Sequence, residues 1–249
     1  CDVYFYDLAI NLGIDRIHEF LDKFSMGRPT GIDLPGEKGA LLPSREWKRK
    51  VHKQDWFGGD TLSAGIGQGF FLATPLQLAH AVAIIARRGD NYRPRVLHAT
   101  EDPSTRIKSL EEPRQLPPVT VKNPRFWDAV ITGMIHVVEG GTAHKIGIGA
   151  KYRIAGKTGT AQVFTLGQSE RYDAKRLAKH LLDHALFVAF APVDDPRIAV
   201  AVIAEHGGGG SATAAPLARK VMDAYLLDKY DDIAADIEPA GDVQRSGTE

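Results

Sequence analysis

The chain has 249 residues, of which 43% are hydrophobic, and its 31 basic and 31 acidic side chains cancel. This composition allows a packed core in one large domain or two small ones, and the balanced charge argues against nucleic-acid binding. The single cysteine, Cys1, excludes an internal disulfide, and no apolar run approaches the roughly 20 residues that cross a bilayer. Because the sequence opens without a methionine or a signal peptide, we expect it to be a segment of a longer protein.

Two helices are predicted at the start of the chain. Residues 1–12 favour a helix that ends at Gly13, and Asp15 is positioned to cap a second helix that ends at Gly27. The second helix has one apolar face, spaced at i, i+3, i+4 and i+7: Ile17, Phe20, Leu21 and Phe24. Residues 28–60 are rich in glycine, proline and charge, which indicates a long irregular excursion over the surface.

A core helix follows a glycine-rich stretch at residues 63–73. Thr74 is predicted to cap this helix, with Pro75 at its first position and Gln77 completing a capping box. The helix is expected to run to about Arg88 and is apolar nearly all round, which predicts a position in the core. The glycines before it lack the lysine and spacing of a phosphate-binding loop, so nucleotide binding is disfavoured.

A third amphipathic helix is predicted after a proline-rich stretch, 89–122, that favours short surface strands and turns. Asn123 is expected to cap the helix, Pro124 to open it and Gly140 to end it. Its buried stripe consists of Trp127, Val130, Ile131, Met134, Ile135 and Val138. The residues that follow, 140–147, are interpreted as a linker.

The segment 155–162 (Ala-Gly-Lys-Thr-Gly-Thr-Ala-Gln) is predicted to be an unusual strand. Glycine inside a strand often marks a close approach by another backbone, and one lysine with two threonines could hold an anion. We therefore interpret the segment as a sheet edge on which an acidic peptide end could lie as an added strand. The alternative is a solvated edge strand on which Lys157 only prevents aggregation.

Residues 165–183 are polar and are expected to form a flexible loop beside this edge. His180 and His184 are four residues apart, so a helix would place both on one face. A metal site is conceivable there, but no third ligand is placed by the sequence, and a solvated loop is the favoured interpretation.

Two apolar segments, 185–191 and 197–204, predict an antiparallel hairpin with helices on each side. Residues 213–228 predict a closing helix whose inward face is Leu217, Val221, Ala224 and Tyr225. The fold class is therefore α+β, with a central antiparallel sheet covered by helices on both faces. We expect one domain over residues 1–230 and a polar tail over 231–249.

Several hydrolase classes are excluded by their motifs. The sequence has no Gly-x-Ser-x-Gly for an α/β-hydrolase nucleophile and no His-Glu-x-x-His for a metalloprotease. The remaining pattern is Lys-Thr-Gly at residues 157–159, one signature of active-serine enzymes that react with penicillin.

The chain resembles the C-terminal part of the transpeptidase domain of class B penicillin-binding proteins, in the elongation-type branch of Gram-negative bacteria. The resemblance depends on the order and spacing of stretches along the whole chain. They are residues 1–6, 30–37, 42–48, 56–61, 65–69, 73–78, 139–143 and 157–160. It implies a penicillin-binding, β-lactamase-like fold with the N-terminal part of the domain missing.

The nucleophile motif of that family, Ser-x-x-Lys, is absent from this sequence. None of the eight serines has a lysine three residues later. The resemblance implies that the nucleophile lies before residue 1, and that Cys1 and Asp2 end a second motif written Ser-x-Asp. That interpretation places Asp2 along the cleft, although a carboxylate interacting with a helix dipole is an equal alternative.

The resemblance also implies roles for the strand. Lys157 would hold the second-motif serine and favour the anionic end of the substrate, and the hydroxyls of Thr158 and Thr160 would bind its terminal carboxylate. The backbone N–H of Thr160 would be one oxyanion donor. Gly159 would leave room for the substrate backbone, and Gln162 would be a further substrate-binding residue.

The family implies a peptidoglycan D,D-transpeptidase that uses no cofactor and forms an acyl-enzyme with D-Ala-D-Ala stem peptides or β-lactams. It also implies a periplasmic domain on an inner-membrane anchor and a membrane glycosyltransferase partner of the elongation machinery. Two alternatives of the same fold remain: a non-catalytic penicillin-binding sensor and a β-lactamase-like hydrolase. Cross-linking activity would distinguish a transpeptidase from the sensor, and rapid release of bound penicillin would favour the hydrolase.

Overall fold

Helices pack around one antiparallel sheet, and a second, two-stranded sheet is exposed, in this computed structural model, which describes residues 2–163 and 182–228. The helices are α1 (Asp2–Leu12), α2 (Ile14–Asp22), α3 (Arg45–His52), α4 (Gly58–Gly65), α5 (Pro75–Ala86), α6 (Arg125–Glu139), α7 (His144–Gly147) and α8 (Ala215–Asp223). Single π-helical turns, Gly210–Ala214 and Ala224–Asp228, flank α8. The strands are β1 (Ala99–Glu101), β2 (Lys108–Leu110), β3 (Ala155–Ala161), β4 (His184–Ala191) and β5 (Ile198–Ala204).

The larger sheet has the strand order β3-β4-β5, and both pairings are antiparallel. In this register Lys157 lies opposite Val188 on β4, and Ala185 lies opposite Ala204 on β5. Strands β1 and β2 form a separate two-stranded sheet, as the proline-rich stretch predicted. Within the described residues β3 is therefore an outer strand of the larger sheet, as the glycine-containing segment predicted.

Helices cover both faces of the larger sheet. Helices α5 and α6 pack on one face, where they meet Ala155 of β3 and Phe190 of β4. Helix α8 packs on the other face, where Met222 lies with Phe187 and other buried residues of β4 and β5. Because side chains alternate along a strand, β4 contributes Phe190 to one core and Phe187 to the other. The predicted α+β architecture is confirmed.

Helix α2 differs from its prediction at both ends. Its N-cap is Gly13, where the chain turns from α1, so Asp15 lies in the first turn and is not the cap. The helix ends at Asp22, so Gly27 is not its end. On the predicted apolar face Phe24, which lies just after the helix, is buried, but Phe20 is 41% exposed.

The excursion predicted over residues 28–60 contains a helix that the sequence analysis missed. Ser44 caps α3 by accepting a hydrogen bond from the Trp47 N–H at 3.1 Å. The helix is rich in charge and its one buried residue is Lys48, so no stripe of buried apolar residues marks it in the sequence. Helix α4 begins at Gly58 and takes in the start of the stretch predicted to be a glycine-rich approach.

Helices α5 and α6 largely match their predictions. The Gln77 N–H donates to the Thr74 hydroxyl at 3.1 Å, and the Thr74 N–H donates to the Gln77 side chain at 2.8 Å, which forms the predicted capping box. Helix α6 begins one residue later than predicted, although the Asn123 side chain does accept the Arg125 N–H at 3.0 Å. Val130 is exposed, whereas the other members of the predicted stripe are buried.

The prediction assigned the wrong inward face to helix α8. Its buried residues are Ala215, Ala218 and Met222, whereas Leu217 and Val221 are 44% and 50% exposed. The helix approaches the sheet mainly through alanines. The prediction instead turned the larger apolar side chains inward, because they carry the stronger hydrophobic signal. The predicted tail and the division into residues 1–230 and 231–249 stay predictions, because 229–249 lie outside the described residues.

Candidate active site

The predicted binding edge is formed by β3. Lys157 and Thr160 are exposed, and Thr158 and Gly159 are half-buried. Because side chains alternate along a strand, Lys157 points to the face shared with Ala155, and the two threonines point to the opposite face. The structure thus brings the charge and the hydroxyls to one strand but places them on opposite faces of it.

The outward carbonyl groups of β3 already have hydrogen-bond donors. The Lys157 Nζ donates to the Thr158 carbonyl at 2.6 Å, and the Gln68 side-chain N–H donates to the Thr160 carbonyl at 3.0 Å. Gln68 follows α4 and was not predicted to be a site residue. The glycines around it were noticed as a pattern, but nothing local in the sequence indicates a contact 92 residues away.

A second residue that the sequence analysis missed is Thr142, in the segment after α6. Its hydroxyl oxygen lies 3.1 Å from the hydroxyl oxygen of Thr158. The stretch 139–143 contributed to the family resemblance without an assigned role. This contact gives the stretch a physical link to the candidate site.

Gly159 faces the neighbouring strand closely. A Cβ at this position would lie 3.2 Å from the Leu186 Cβ, which is tighter than ordinary packing. Gln162 follows β3 directly and is exposed. Asp2 is exposed in the first turn of α1, and α1 packs against α4 and α2. The main packing partners of α1 are thus other helices, and the role of Asp2 along the cleft stays a prediction.

Of the two histidines considered as metal ligands, His184 opens β4, so it does not lie on the helix that would have placed both on one face. His180 lies outside the described residues. The His206 backbone N–H donates to the His184 Nδ1 at 3.0 Å. In the two described ranges, no group of three or more histidine, cysteine or acidic residues is arranged to hold a metal ion.

A buried ion pair fixes the helix that leads to Gln68. Lys48, whose side chain is only 4% exposed, donates to the carboxylate of Asp60 at the start of α4. The Phe57 N–H also donates to Asp60, at 2.8 Å. Burial alone would raise the pKa of Asp60, but hydrogen bonds from Lys48 and Phe57 outweigh it and hold the pKa below its usual range.

Two further side chains fix the loops next to α5. The Gln77 side chain is fully buried, and its NH₂ group contacts the carbonyls of Ser25, Arg28 and Gly39 at 3.1, 2.9 and 2.8 Å. Glu37 accepts the N–H and the hydroxyl of Thr30 at 2.6 and 2.7 Å.

Burial opposes ionisation of Glu37, but these hydrogen bonds outweigh it and lower its pKa. Gln77 and Glu37, which both lie in stretches that carried the family resemblance, therefore hold the backbone between residues 25 and 39.

A large cavity lies away from β3. It has a volume of about 770 Å³ and lies between α1, α2 and α4, with Phe5, Leu8 and Phe71 in its lining. A second apolar cavity of about 570 Å³ lies between α2 and α6. Within the described ranges, no helix has the length and apolar character that crossing a membrane requires.

The helix-covered antiparallel sheet with β3 at its edge is the architecture of a penicillin-binding protein transpeptidase domain. The profile described as "Penicillin binding protein transpeptidase domain" matches residues 1–223, and the chain belongs to that family. The family resemblance given by the sequence motifs is therefore confirmed.

More specific relatives are found within the family. The chain is 47% identical over 227 residues to the peptidoglycan D,D-transpeptidase MrdA of Haemophilus influenzae, covering 90% of this chain and 35% of the relative. It is also similar to PBP2 of Pseudomonas aeruginosa, solved in complex with WCK 5153, with a TM-score of 0.75, 45% identity and coverage of 92% of this chain and 46% of the other.

A third similar chain comes from a peptidoglycan synthase complex described as coordinating polymerization and crosslinking. It has a TM-score of 0.73, 30% identity and coverage of 98% of this chain and 37% of the other. The present chain thus spans about a third of the length of the curated relative it matches.

Proposed function

We propose that this chain is part of a peptidoglycan D,D-transpeptidase that cross-links stem peptides and is acylated by β-lactams. The observation that carries the proposal is the exposed edge of β3, where Lys157 lies beside Thr158 and Thr160 in a chain of the penicillin-binding family. The name of the Haemophilus influenzae relative, a peptidoglycan D,D-transpeptidase, supports the same reaction.

In the proposed reaction, a serine outside this sequence attacks the carbonyl of the penultimate residue of a D-Ala-D-Ala stem peptide. The peptide bond breaks, D-alanine leaves with the transferred proton, and an acyl-enzyme forms. An amine of a second stem peptide then attacks the ester and releases the serine. The backbone N–H of Thr160 is one oxyanion donor, and loss of such a donor typically costs about 2.7–4 kcal/mol in the transition state.

The side chains of β3 bind the peptide in this scheme. Lys157 holds the second-motif serine and favours the substrate's anionic end from one face of the strand, whereas Thr158 and Thr160 bind the terminal carboxylate from the other. Gly159 leaves room for the peptide backbone, and Gln162 extends the edge. Asp2 lines the cleft as part of the second motif.

Labelling of the natural-length protein with a fluorescent penicillin tests the proposal. Lys157→Ala is expected to abolish labelling while unfolding stays cooperative. Lys151→Ala removes another exposed lysine outside the strand and serves as the matched control. Undiminished labelling of Lys157→Ala would refute the assigned role, and wild-type protein that takes up no penicillin would refute the function.

A cross-linking assay with stem peptides then separates a transpeptidase from a sensor that only binds penicillin. The half-life of the penicilloyl adduct separates it from a hydrolase, which would release the adduct rapidly. Cross-linked product together with a long-lived adduct is the expected result.

We also propose that the domain lies in the periplasm on an inner-membrane anchor and works with a membrane glycosyltransferase of the elongation machinery. The similar chain in a complex that coordinates polymerization and crosslinking supports this partner. A cysteine placed at the exposed Lys151 should react with a membrane-impermeant maleimide once the outer membrane is opened. Absence of reaction before lysis of the inner membrane would contradict the location.

A further inference from the structure

The outer edge of β3 is capped by side chains of the protein itself. Residues two apart on a strand turn their carbonyls to the same side, so the Thr158 and Thr160 carbonyls both face away from β4. The Lys157 ammonium donates to the first and the Gln68 carboxamide to the second. A peptide that pairs with this edge needs such outward acceptors for its own N–H groups.

Gln68 reaches the edge from a loop that is anchored on both sides. Its backbone N–H donates to the Ser63 carbonyl at 2.9 Å, and the N–H of Gly67 donates to the Ala64 carbonyl at 3.0 Å. Gly67 and Gly69 have φ of 73° and 71°, a conformation that glycine adopts without strain.

The ring of Phe70, immediately after this loop, packs 5.1 Å from that of Trp47 on α3. The Lys48 ammonium lies 5.6 Å from the same ring and also contacts Asp60 at the start of α4. The loop is therefore fixed at both ends, and the carboxamide of Gln68 is presented to β3 by a rigid frame.

We propose that Gln68 is a specificity-determining residue of the peptide-binding edge, because its carboxamide holds the Thr160 carbonyl while the edge is empty. An incoming acyl donor that carries an amide N–H takes over this acceptor, and Gln68 turns away. The inference rests on the proposed transpeptidase function. It predicts that Gln68 opposes binding of ligands with such an N–H and has no effect on ligands without one.

The test compares two β-lactams on the natural-length protein. Benzylpenicillin carries a side-chain amide N–H, whereas penicillanic acid without a 6-substituent does not. Gln68→Met keeps the length of the side chain and removes the donor, and Gln68→Ala removes both. The net strength of one hydrogen bond predicts that both variants are acylated by benzylpenicillin about 2- to 10-fold faster than wild type, with unchanged rates for penicillanic acid.

The second-order acylation rate constants are measured by mass spectrometry of the quenched protein. Gln54→Ala, an exposed glutamine after α3, is the matched control and should leave both rates unchanged. The ratio of the two rates is the decisive quantity, because a general disturbance of folding changes both rates together.

An unchanged ratio in Gln68→Met, or slower acylation by benzylpenicillin alone, overturns the inference. If wild-type protein takes up neither β-lactam, the proposed function itself fails. The two failures are therefore distinguishable within one data set.

Discussion

Thr142 and Thr158 meet through their hydroxyl oxygens at 3.1 Å, so the segment after α6 sets the orientation of a hydroxyl on the binding edge. A threonine hydroxyl has a single proton to donate. If Thr142 donates, the Thr158 proton points away from Thr142, which suits the donation to a carboxylate that is proposed for Thr158.

Thr142→Val should therefore slow acylation by penicillin, because the Thr158 hydroxyl loses its orienting partner. The strength of one hydrogen bond predicts a decrease of about 2- to 10-fold in the second-order rate constant. Thr142→Ser keeps the hydroxyl and should restore most of the rate. A valine variant as fast as wild type would show that the contact has no influence on the site.

Gly156 should not tolerate a side chain. A Cβ there would lie 2.5 Å from the ring of Phe187, a fully buried residue of β4. Gly156→Ala is expected to lower the free energy of unfolding by about 1–3 kcal/mol, as overpacking of a core does. Chemical denaturation of the protein measures this change.

Gly133→Ala is the matched control for that substitution, because a Cβ at Gly133 in α6 meets nothing within 4 Å. Alanine is the better helix former, so this variant should be stabilised by about 0.5–1 kcal/mol. Equal effects of the two substitutions would contradict the packing explanation.

Gln77→Leu should destabilise the protein although the size of the side chain is nearly kept. The carbonyls of Ser25, Arg28 and Gly39 lose their shared donor, and an unsatisfied buried polar group costs about 1–3 kcal/mol. Denaturation gives the loss of free energy, and limited proteolysis should show faster cleavage within residues 25–39. If Gln77→Leu is cleaved there no faster than the control Gln54→Leu, at an exposed glutamine, the anchoring role is contradicted.

Asp223 should make stability depend on acid pH. Tyr152 and Arg219 each donate to its carboxylate at 2.7 Å. Burial alone would raise the pKa of Asp223, but these donors outweigh it and hold the pKa below its usual range. The stabilisation is complete above the usual carboxyl pKa of about 3.9 and is lost as the pH falls through the lower pKa of the folded protein.

Asp223→Asn is expected to lower the free energy of unfolding at neutral pH by about 1–2 kcal/mol. Below about pH 4 the gap between wild type and variant should close, because only wild type loses this contribution. Urea denaturation across a pH series measures the gap, with exposed Asp195→Asn as control. If the difference in unfolding free energy instead grows as the pH falls, the predicted pH dependence is contradicted.

Local signals in the sequence identified the elements whose stabilising contacts are local or strongly apolar. The capping box of Thr74 and Gln77 predicted the start of α5, and the apolar runs of β4 and β5 predicted their pairing. The charged helix α3 was missed because its one buried side chain is Lys48, whose partners lie on other elements.

In the candidate site, the sequence predicted the strand but not its contacts with other elements. The strand that carries Lys157 and Thr160 was identified from its own residues, because the glycines, lysine and threonines are adjacent. Gln68 and Thr142 act on that strand through contacts with distant or neighbouring elements, and spacing alone does not reveal such contacts. The face of α8 was also wrong, because alanines that allow close approach carry little hydrophobic signal.

The two-sided arrangement of β3 has a consequence for how the site can vary. Substitutions at Lys157 act on one surface of the strand, and substitutions at Thr158 or Thr160 act on the other. The two surfaces are nevertheless coupled, because Lys157 donates to the Thr158 carbonyl and the proposed reaction gives both side chains the same carboxylate. Residues in contact or with a shared partner are not energetically additive. A change in charge recognition at this edge should therefore require a compensating change in hydroxyl recognition.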